Sequence, residues 1–528
     1  MSNLVHELIS QSANRYPNSD ALVYKGSKKS YFTLYRDIKR VASNFISLGL
    51  YRNERLAVYL EKRHETVISI FGAAAAGGVF VPINPILKSE QVAYILCDCN
   101  VKILITSSYR LNILIDILPK CHDLHTVIIV DSEEIQFAIP GLNIVPWNQM
   151  CTTLSTKKPP KIIDSDMVAI LYTSGSTGKP KGVALSHRNI VTGAISVSQY
   201  LENKPNDRIL SILPISFDYG LNQLTTVFYT GATCILYNHL FPRDIIEIIQ
   251  TENISGLAAI PPLWIQLSQL KWPEITSLRY ITNSGGTIPQ ATLNILRSIL
   301  PETKIFLMYG FTESFRSTYL CPQEINIRPN SIGKAIPNAE IFVLREDGTE
   351  CAPYEPGELV HKGDLVSMGY WNNPKETSIK FRPFPQKNTG LTTPEIAVWS
   401  GDTVLSDDEG YLYFICRQDD MIKTSGYRVS PTEIEEVIYA TGLINEAVAI
   451  GVPHPILGQA IVVIVTSLES INFNKEKVLS ACKANLPNFM VPINIILRKD
   501  ILPRNHNGKI DRKLLTKEIQ ENTTKTKL

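Results

Sequence analysis

The chain has 528 residues, 44% hydrophobic and 19% charged, enough apolar mass to enclose a small molecule and length for more than one domain. Its 52 basic and 50 acidic residues leave a formal net charge of +2, so no whole-molecule field draws in nucleic acid or an anionic membrane, and partners must be recognised locally. The nine cysteines are scattered, with Cys97 and Cys99 the one close pair; they suit neither a disulfide framework nor a zinc knuckle and are expected as free thiols in a reducing cytoplasm.

At the start, MSNLVHELISQSANRYP sets His6, Glu7, Gln11 and Asn14 at helical spacing and lacks the charged-then-apolar layout of a secretory leader, so export is not expected. Leu34, Ile38, Val41, Phe45 and Leu48 fall on one helix face, whereas ERLAVYL, VKILITS and HTVIIV read as buried strands. The longest apolar run, Val67 to Val81, contains Gly72, Gly77 and Gly78 and stops at Pro82; it is shorter than the roughly 20 residues of a spanning helix and predicts a buried helix followed by a strand. This alternation predicts an α/β class, with a large multi-layered domain over residues 1–418. Past SGDTVLSDDEG a boundary is expected, and residues 419–528 predict a small mobile α+β domain. It has strands in NEAVAIGV, AIVVIVTS and INIILRK, a helix through KEKVLSACKAN, and a polar tail, QENTTKTKL, expected to be disordered.

The most informative segment is LYTSGSTGKPKGVALSH, Leu171 to His187, where a β-run opens into seven residues drawn only from Thr, Ser, Gly and Lys. Such a loop offers unobstructed backbone N–H groups, hydroxyls and ammonium groups, as a polyphosphate requires. A Walker A loop needs Ser or Thr directly after Gly-Lys, and here Pro180 follows Lys179. A plain surface linker would rarely sit flush against an apolar strand.

The segment resembles the phosphate-loop signature of the adenylate-forming (AMP-binding) superfamily: acyl-CoA synthetases, luciferases and the adenylation domains of nonribosomal peptide synthetases. Thr173, Ser174, Gly175, Ser176, Thr177, Gly178, Lys179, Pro180, Lys181 and Gly182 match it, and further motifs recur in the family's order along the chain. NSGGT (Asn283 to Thr287) and MYGFTES (Met308 to Ser314) resemble the adenine-pocket and acid motifs. The resemblance implies that Gly285 and Gly286 lie beside nucleotide and substrate, that Tyr309 stacks on adenine, that Thr312 touches the α-phosphate and that Glu313 holds Mg2+, a hard ion suited to a carboxylate and phosphates. Asp402 in WSGD resembles the acid that receives both ribose hydroxyls, and Arg417 in CRQDD would reinforce ribose and phosphate. The family usually has Gly before that arginine, where this chain has Cys416. Asp419 matches the hinge position, and PRNHNGKIDRK makes Lys509 the catalytic lysine, whose ammonium would stabilise charge on the five-coordinate phosphorus and on the departing pyrophosphate.

The implied activity is an AMP-forming ligation in two half-reactions. A carboxylate displaces pyrophosphate from ATP, then the small domain turns about Asp419 and presents SGYRVSP, where Gly426 leaves room for a pantetheine arm. The acceptor is coenzyme A or a carrier-protein phosphopantetheine, and no carrier domain is expected on this chain. LPISFDYGLNQL resembles the acyl-pocket motif, with Phe217 where many fatty and aryl acid ligases have His and Asp218 where amino-acid-activating members have the aspartate that grips the ammonium. Asp218 therefore favours an amino acid loaded on a carrier protein, unless Arg, Lys or backbone N–H groups satisfy it within the protein; a fatty or other organic acid passed to free coenzyme A is the alternative. A luciferase-like oxidase shares the adenylation motifs, and the retention of Lys509, Glu313, Asp402 and Arg417 together argues against an inactive nucleotide-binding paralogue.

Overall fold

The computed structural model describes the chain outside residues 1–2, 133–138, 153–156, 174–179, 287, 289, 386–389, 391, 418–421, 430, 468–472, 499, 501, 504–509, 511 and 526–528. It is mixed α/β, a large N-terminal domain followed by a small C-terminal one. The three runs read as strands are Arg55–Tyr59, Val101–Thr106 and Thr126–Ile129, and the interrupted apolar run is the buried helix His64–Ala75 and the strand Val79–Pro82. These strands join Asn143–Pro146 and Met167–Thr173 in a parallel array that ends on an antiparallel partner, Lys181–Ser186. Each is short and apolar because helices cover both faces of a parallel sheet. The hairpin pairs Thr173 with Lys181, so the phosphate-loop motif spans its turn, with residues 174–179 outside the described part.

A second array aligns Thr233–Leu236, Arg208–Ser211, Gly256–Ala259, Tyr280–Asn283 and Lys304–Tyr309 in parallel and continues through the antiparallel Thr318–Leu320. Trp264 is fully buried, and its indole N–H lies 3.2 Å from both the Ala259 and Thr282 carbonyl oxygens. It thereby ties together the ends of two neighbouring strands, one of which delivers Asn283. Asp207 receives both Nε and Nη2 of Arg279 at 3.0 and 2.6 Å, a bidentate pair holding the opposite, N-terminal edge of the same strands.

In the small domain, Ile444–His454 and Gly458–Ser467 form a long antiparallel pair, Asn494–Leu497 joins in parallel, and Lys475–Asn485 is the expected helix. The tail departs from expectation, because Arg512–Lys525 is a helix that takes in the first six residues of QENTTKTKL. Leu515 is fully buried against the small-domain strands, and Arg512 binds Glu435 through both Nη atoms at 2.7 and 2.9 Å. A helix nucleated by such contacts propagates at little cost into polar residues. Among the described residues, no helix is long and apolar enough to cross a membrane, and eight cysteines are free thiols.

The N-terminal helix Glu7–Arg15 is fastened through a histidine. Val5 N–H donates to Nδ1 of the buried His187 at 3.0 Å, and burial pulls that imidazole down from 6.5 to about 3, with His6 adding to the shift. Above 6.5 neither folded nor unfolded chain protonates the ring; as the pH falls toward 3 the unfolded chain binds a proton that the folded one refuses, so stability is lost. Chemical denaturation between pH 6.5 and 5 should show the wild type losing up to about 1.4 kcal/mol per pH unit more than His187→Asn, whose amide accepts without titrating. Equal slopes would show that the ring carries no such linkage.

Candidate active site

The cavity opens where the carboxyl ends of both parallel arrays converge, the usual site of ligand binding in such sheets. It measures about 970 Å³ and is lined by Thr173 and Lys181 from the hairpin, by Asn283 to Gly286, Met308 to Glu313 and Arg316, and by Phe217, Asp218 and Asp402. Every sequence-predicted site residue of the large domain whose side chain is described reaches this one cavity. Ser174, Gly175, Ser176, Thr177, Gly178, Asp419 and Lys509 lie outside the described residues. Arg417 is described in its backbone, directly opposite Asp402 across the antiparallel pair Ile396–Ser406 and Leu412–Arg417.

Tyr309 closes its strand and donates its hydroxyl to Asp402 Oδ2 at 2.6 Å, coupling an aromatic face to a carboxylate that is 3% exposed. Immediately after it, Thr312–Ser314 makes one 3₁₀ turn, and Phe315 then adopts φ +57°, a conformation costly for a bulky residue. Its fully buried ring packs so closely on Gly193 that a Cβ there would come within 2.4 Å. This over-determined bend brings Glu313 and Arg316 to the same cavity. Glu313 Oε1 accepts from Tyr370 Oη at 2.5 Å. Lys181 lies over the same tyrosine ring at 5.4 Å and pairs with Glu376 at 2.7 Å.

Asp218, at the first turn of the helix Asp218–Thr230, accepts from Thr312 Oγ1 at 3.2 Å and faces Arg316 Nη1 at 3.6 Å. Burial pushes its carboxyl up, opposed by the guanidinium and the threonine bond. Arg316 is 2% exposed and lies over the Tyr219 ring at 4.5 Å. Sequence reasoning passed over Arg316, Tyr370 and Glu376. Arg316 alone carried a signal, as a cation three residues past Glu313 in SFRST.

The small domain completes the enclosure. Its hairpin Ile422–Thr424 and Tyr427–Val429 turns through Ser425 and Gly426 at φ +52° and +81°. The Gly426 carbonyl lies 3.7 Å from where a Cβ on Gly285 would stand, and a Cβ on Gly426 would come within 2.3 Å of Ile260. Tyr427 meets Phe217 edge to face at 5.2 Å and stacks on Phe489 at 3.7 Å. Beside it, Gln91 of the large domain donates to Glu433 of the small domain at 2.9 Å.

Comparison with known proteins identifies this arrangement. Residues 9–371 match the model of the AMP-binding enzyme family and residues 433–509 that of the AMP-binding enzyme C-terminal domain. The chain belongs to the AMP-binding enzymes. It is 28% identical to a long-chain-fatty-acid–CoA ligase of Bacillus subtilis, covering 98% of this chain and 95% of that one. It is 27% identical to a linear gramicidin synthase of Brevibacillus parabrevis over 97% of its own length. The chain spans only 10% of the length of that synthase. The fold is also that of the o-succinylbenzoate CoA synthetase of Bacillus subtilis, with TM-score 0.83, 23% identity and coverage of 96% and 97% of the two chains. The amide bond synthetase of Marinactinospora thermotolerans shares it too, with TM-score 0.84 at 19% identity and coverage of 98% and 99%.

A buried carboxylate deprived of its one facing cation is strongly destabilising, whereas removing both charges is far less so. Arg316→Met should therefore cost about 3 kcal/mol in denaturant unfolding, and the added change Asp218→Asn should restore most of it. Strictly additive losses would show that the two charges are not coupled.

Proposed function

We propose that the chain is an AMP-forming, ATP-dependent acid–thiol ligase. A carboxylate oxygen attacks the α-phosphorus of ATP and expels pyrophosphate; a pantetheine sulfur then attacks the acyl carbon of the adenylate and AMP leaves. The observation that supports this best is the joint cavity, with Tyr309, Thr312, Glu313 and Asp402 of the large domain facing Gly426 of the small one. In this reading Tyr309 gives adenine a flat apolar face. Asp402, held by the Tyr309 hydroxyl, is an acceptor-only group matched to the two donors of a ribose, and Arg417 stands opposite it in register. Thr312 meets the α-phosphate, with the 173–178 loop and Lys181 around the remaining phosphates.

The chemistry implies Mg2+. Among the described residues no group of three or more His, Cys, Asp or Glu could hold an ion, but Glu313, with Oε1 on Tyr370, fits an ion that takes one carboxylate and keeps its other ligands on phosphates and water. Bound there, Mg2+ would neutralise phosphate charge. Lys509 supplies an ammonium to the first half-reaction, when charge builds on phosphorus and pyrophosphate. The second uses the domain arrangement of this structure, with the Gly426 turn over Gly285 and the cavity continuing past Gly458 and Met490. Asp419 is the hinge between the two arrangements. The acid enters between Phe217 and Asp218. Because Asp218 already faces Arg316, an α-ammonium is not required to neutralise it, and this favours an organic acid passed to coenzyme A. An amino acid loaded on a carrier protein is the second reading, favoured by the position of Asp218 on the cavity wall.

Two variants should separate the half-reactions. Lys509→Ala should slow adenylate formation by about 100-fold or more while leaving thioester formation from synthetic acyl-adenylate within about threefold. Gly426→Leu should do the reverse, since its side chain collides with Ile260 and lacks access to φ +81°. Pyrophosphate exchange and thioester release report the two steps, and parallel loss of both in either variant would refute the two-arrangement account.

A further inference from the structure

Resting on the ligase reading, we propose that the acid activated by this chain bears a second carboxylate on a short acyl chain, received by the Nε–Nη2 edge of Arg316. Arg316 is 2% exposed, and only its Nη1 faces a carboxylate, Asp218 at 3.6 Å. Neither Nε nor Nη2 meets a hydrogen-bond partner among the described residues. The ring of Tyr219 covers the flat face of the guanidinium at 4.5 Å, and Tyr219 is itself fixed, with its hydroxyl 2.6 Å from Thr282 Oγ1. What remains is the edge, on the wall of the cavity that takes the acid.

That edge has a known use elsewhere in this molecule. Arg52 grips Asp166 through Nε and Nη2 at 3.0 and 2.6 Å. Arg188 grips Asp164 through the same two atoms at 2.9 and 3.1 Å, as Arg279 does Asp207. Two parallel N–H donors match the two oxygens of a carboxylate, and each such bond is charge-assisted. A hydrocarbon tail laid against the same donors would leave them desolvated and unsatisfied, which opposes binding. In a planar guanidinium this edge points away from Nη1, hence away from the Asp218 carboxyl that also holds Thr312. The reacting carboxylate, next to Thr312, is therefore not the group that reaches it. The far end of the acid is. A short chain follows because Thr312 and Arg316 flank the single carboxyl group of Asp218. The same chemistry is offered by a plain dicarboxylic acid and by an acidic amino acid, whose ammonium would pair with Asp218.

The test is ATP–pyrophosphate exchange by the full chain with four sets of acids of matched length: dicarboxylates, their monomethyl esters, monocarboxylates, and aspartate and glutamate. A dicarboxylate or an acidic amino acid should be the best substrate, exceeding its ester or monoacid counterpart by about 100-fold or more in kcat/KM, because a site built to hydrogen-bond rejects the analogue lacking the group. The amino-acid arm separates the two sources. In Arg316→Met the diacid and its ester should converge to within about threefold. The comparison within the wild type needs no variant to fold. Exchange with monocarboxylates equal to or better than with diacids overturns the proposal while leaving the ligase reading intact. A loss in Arg316→Met that is as large for monoacids as for diacids also overturns it, since the arginine would then hold the reacting carboxylate. Exchange with no acid of any class overturns both.

Discussion

Parallel strands must be buried on both faces, and the site is a consequence of that constraint. Helices cover both sheets of the large domain, so the chain can expose side chains from a strand only where it leaves the strand's end. Thr173, Asn283 and Tyr309 are last residues of their strands, and the carboxyl ends of the two arrays meet at one cavity. The resulting walls are rigid up to the last hydrogen-bonded residue, and the groups that would contact a ligand sit one or two bonds beyond it. The turn from Thr312 to Phe315 is the extreme case. Its strained φ persists because the ring of Phe315 fills space that Gly193 leaves open.

Within the cavity, polar groups are held mostly by one another. Asp402 is aligned by Tyr309, Glu313 by Tyr370, and Asp218 by Thr312 and Arg316. In a low-dielectric setting such bonds are stronger than in water, and an unmade one is correspondingly costly. Pre-aligned acceptors and donors suit a reaction whose charge appears on phosphate oxygens, since little reorganisation is needed as it develops. The small domain joins through few contacts, chiefly the Tyr427 stack and the Gln91–Glu433 bond. A polar interface of this kind is compatible with domain motion.

The local elements were legible in the sequence where their pattern has a single physical reading. Short apolar runs such as VKILITS can satisfy their backbone only in a buried sheet, and the interruption of Val67 to Val81 by glycines marks the helix end before Val79–Pro82. The ordered set of motifs around Thr173, Tyr309 and Asp402 likewise named the family, because each residue type there is tied to a backbone or phosphate requirement. The tail was not legible, since QENTTKTKL has no periodicity of its own and is helical through a contact, Arg512 to Glu435, that spans 77 residues of sequence.

Arg316 shows the same limit more sharply. From sequence it is one cation after an acidic motif; its pairing with Asp218, its cover by Tyr219 and its open edge depend on three segments meeting in space. The strands, the motif order and the type of chemistry follow from the chain as written, because those rest on short-range pattern. Which charges neutralise each other, and so which acid the pocket suits, emerges only once the chain is folded, because electrostatic pairing in a buried site is a property of distance through space and not along the chain.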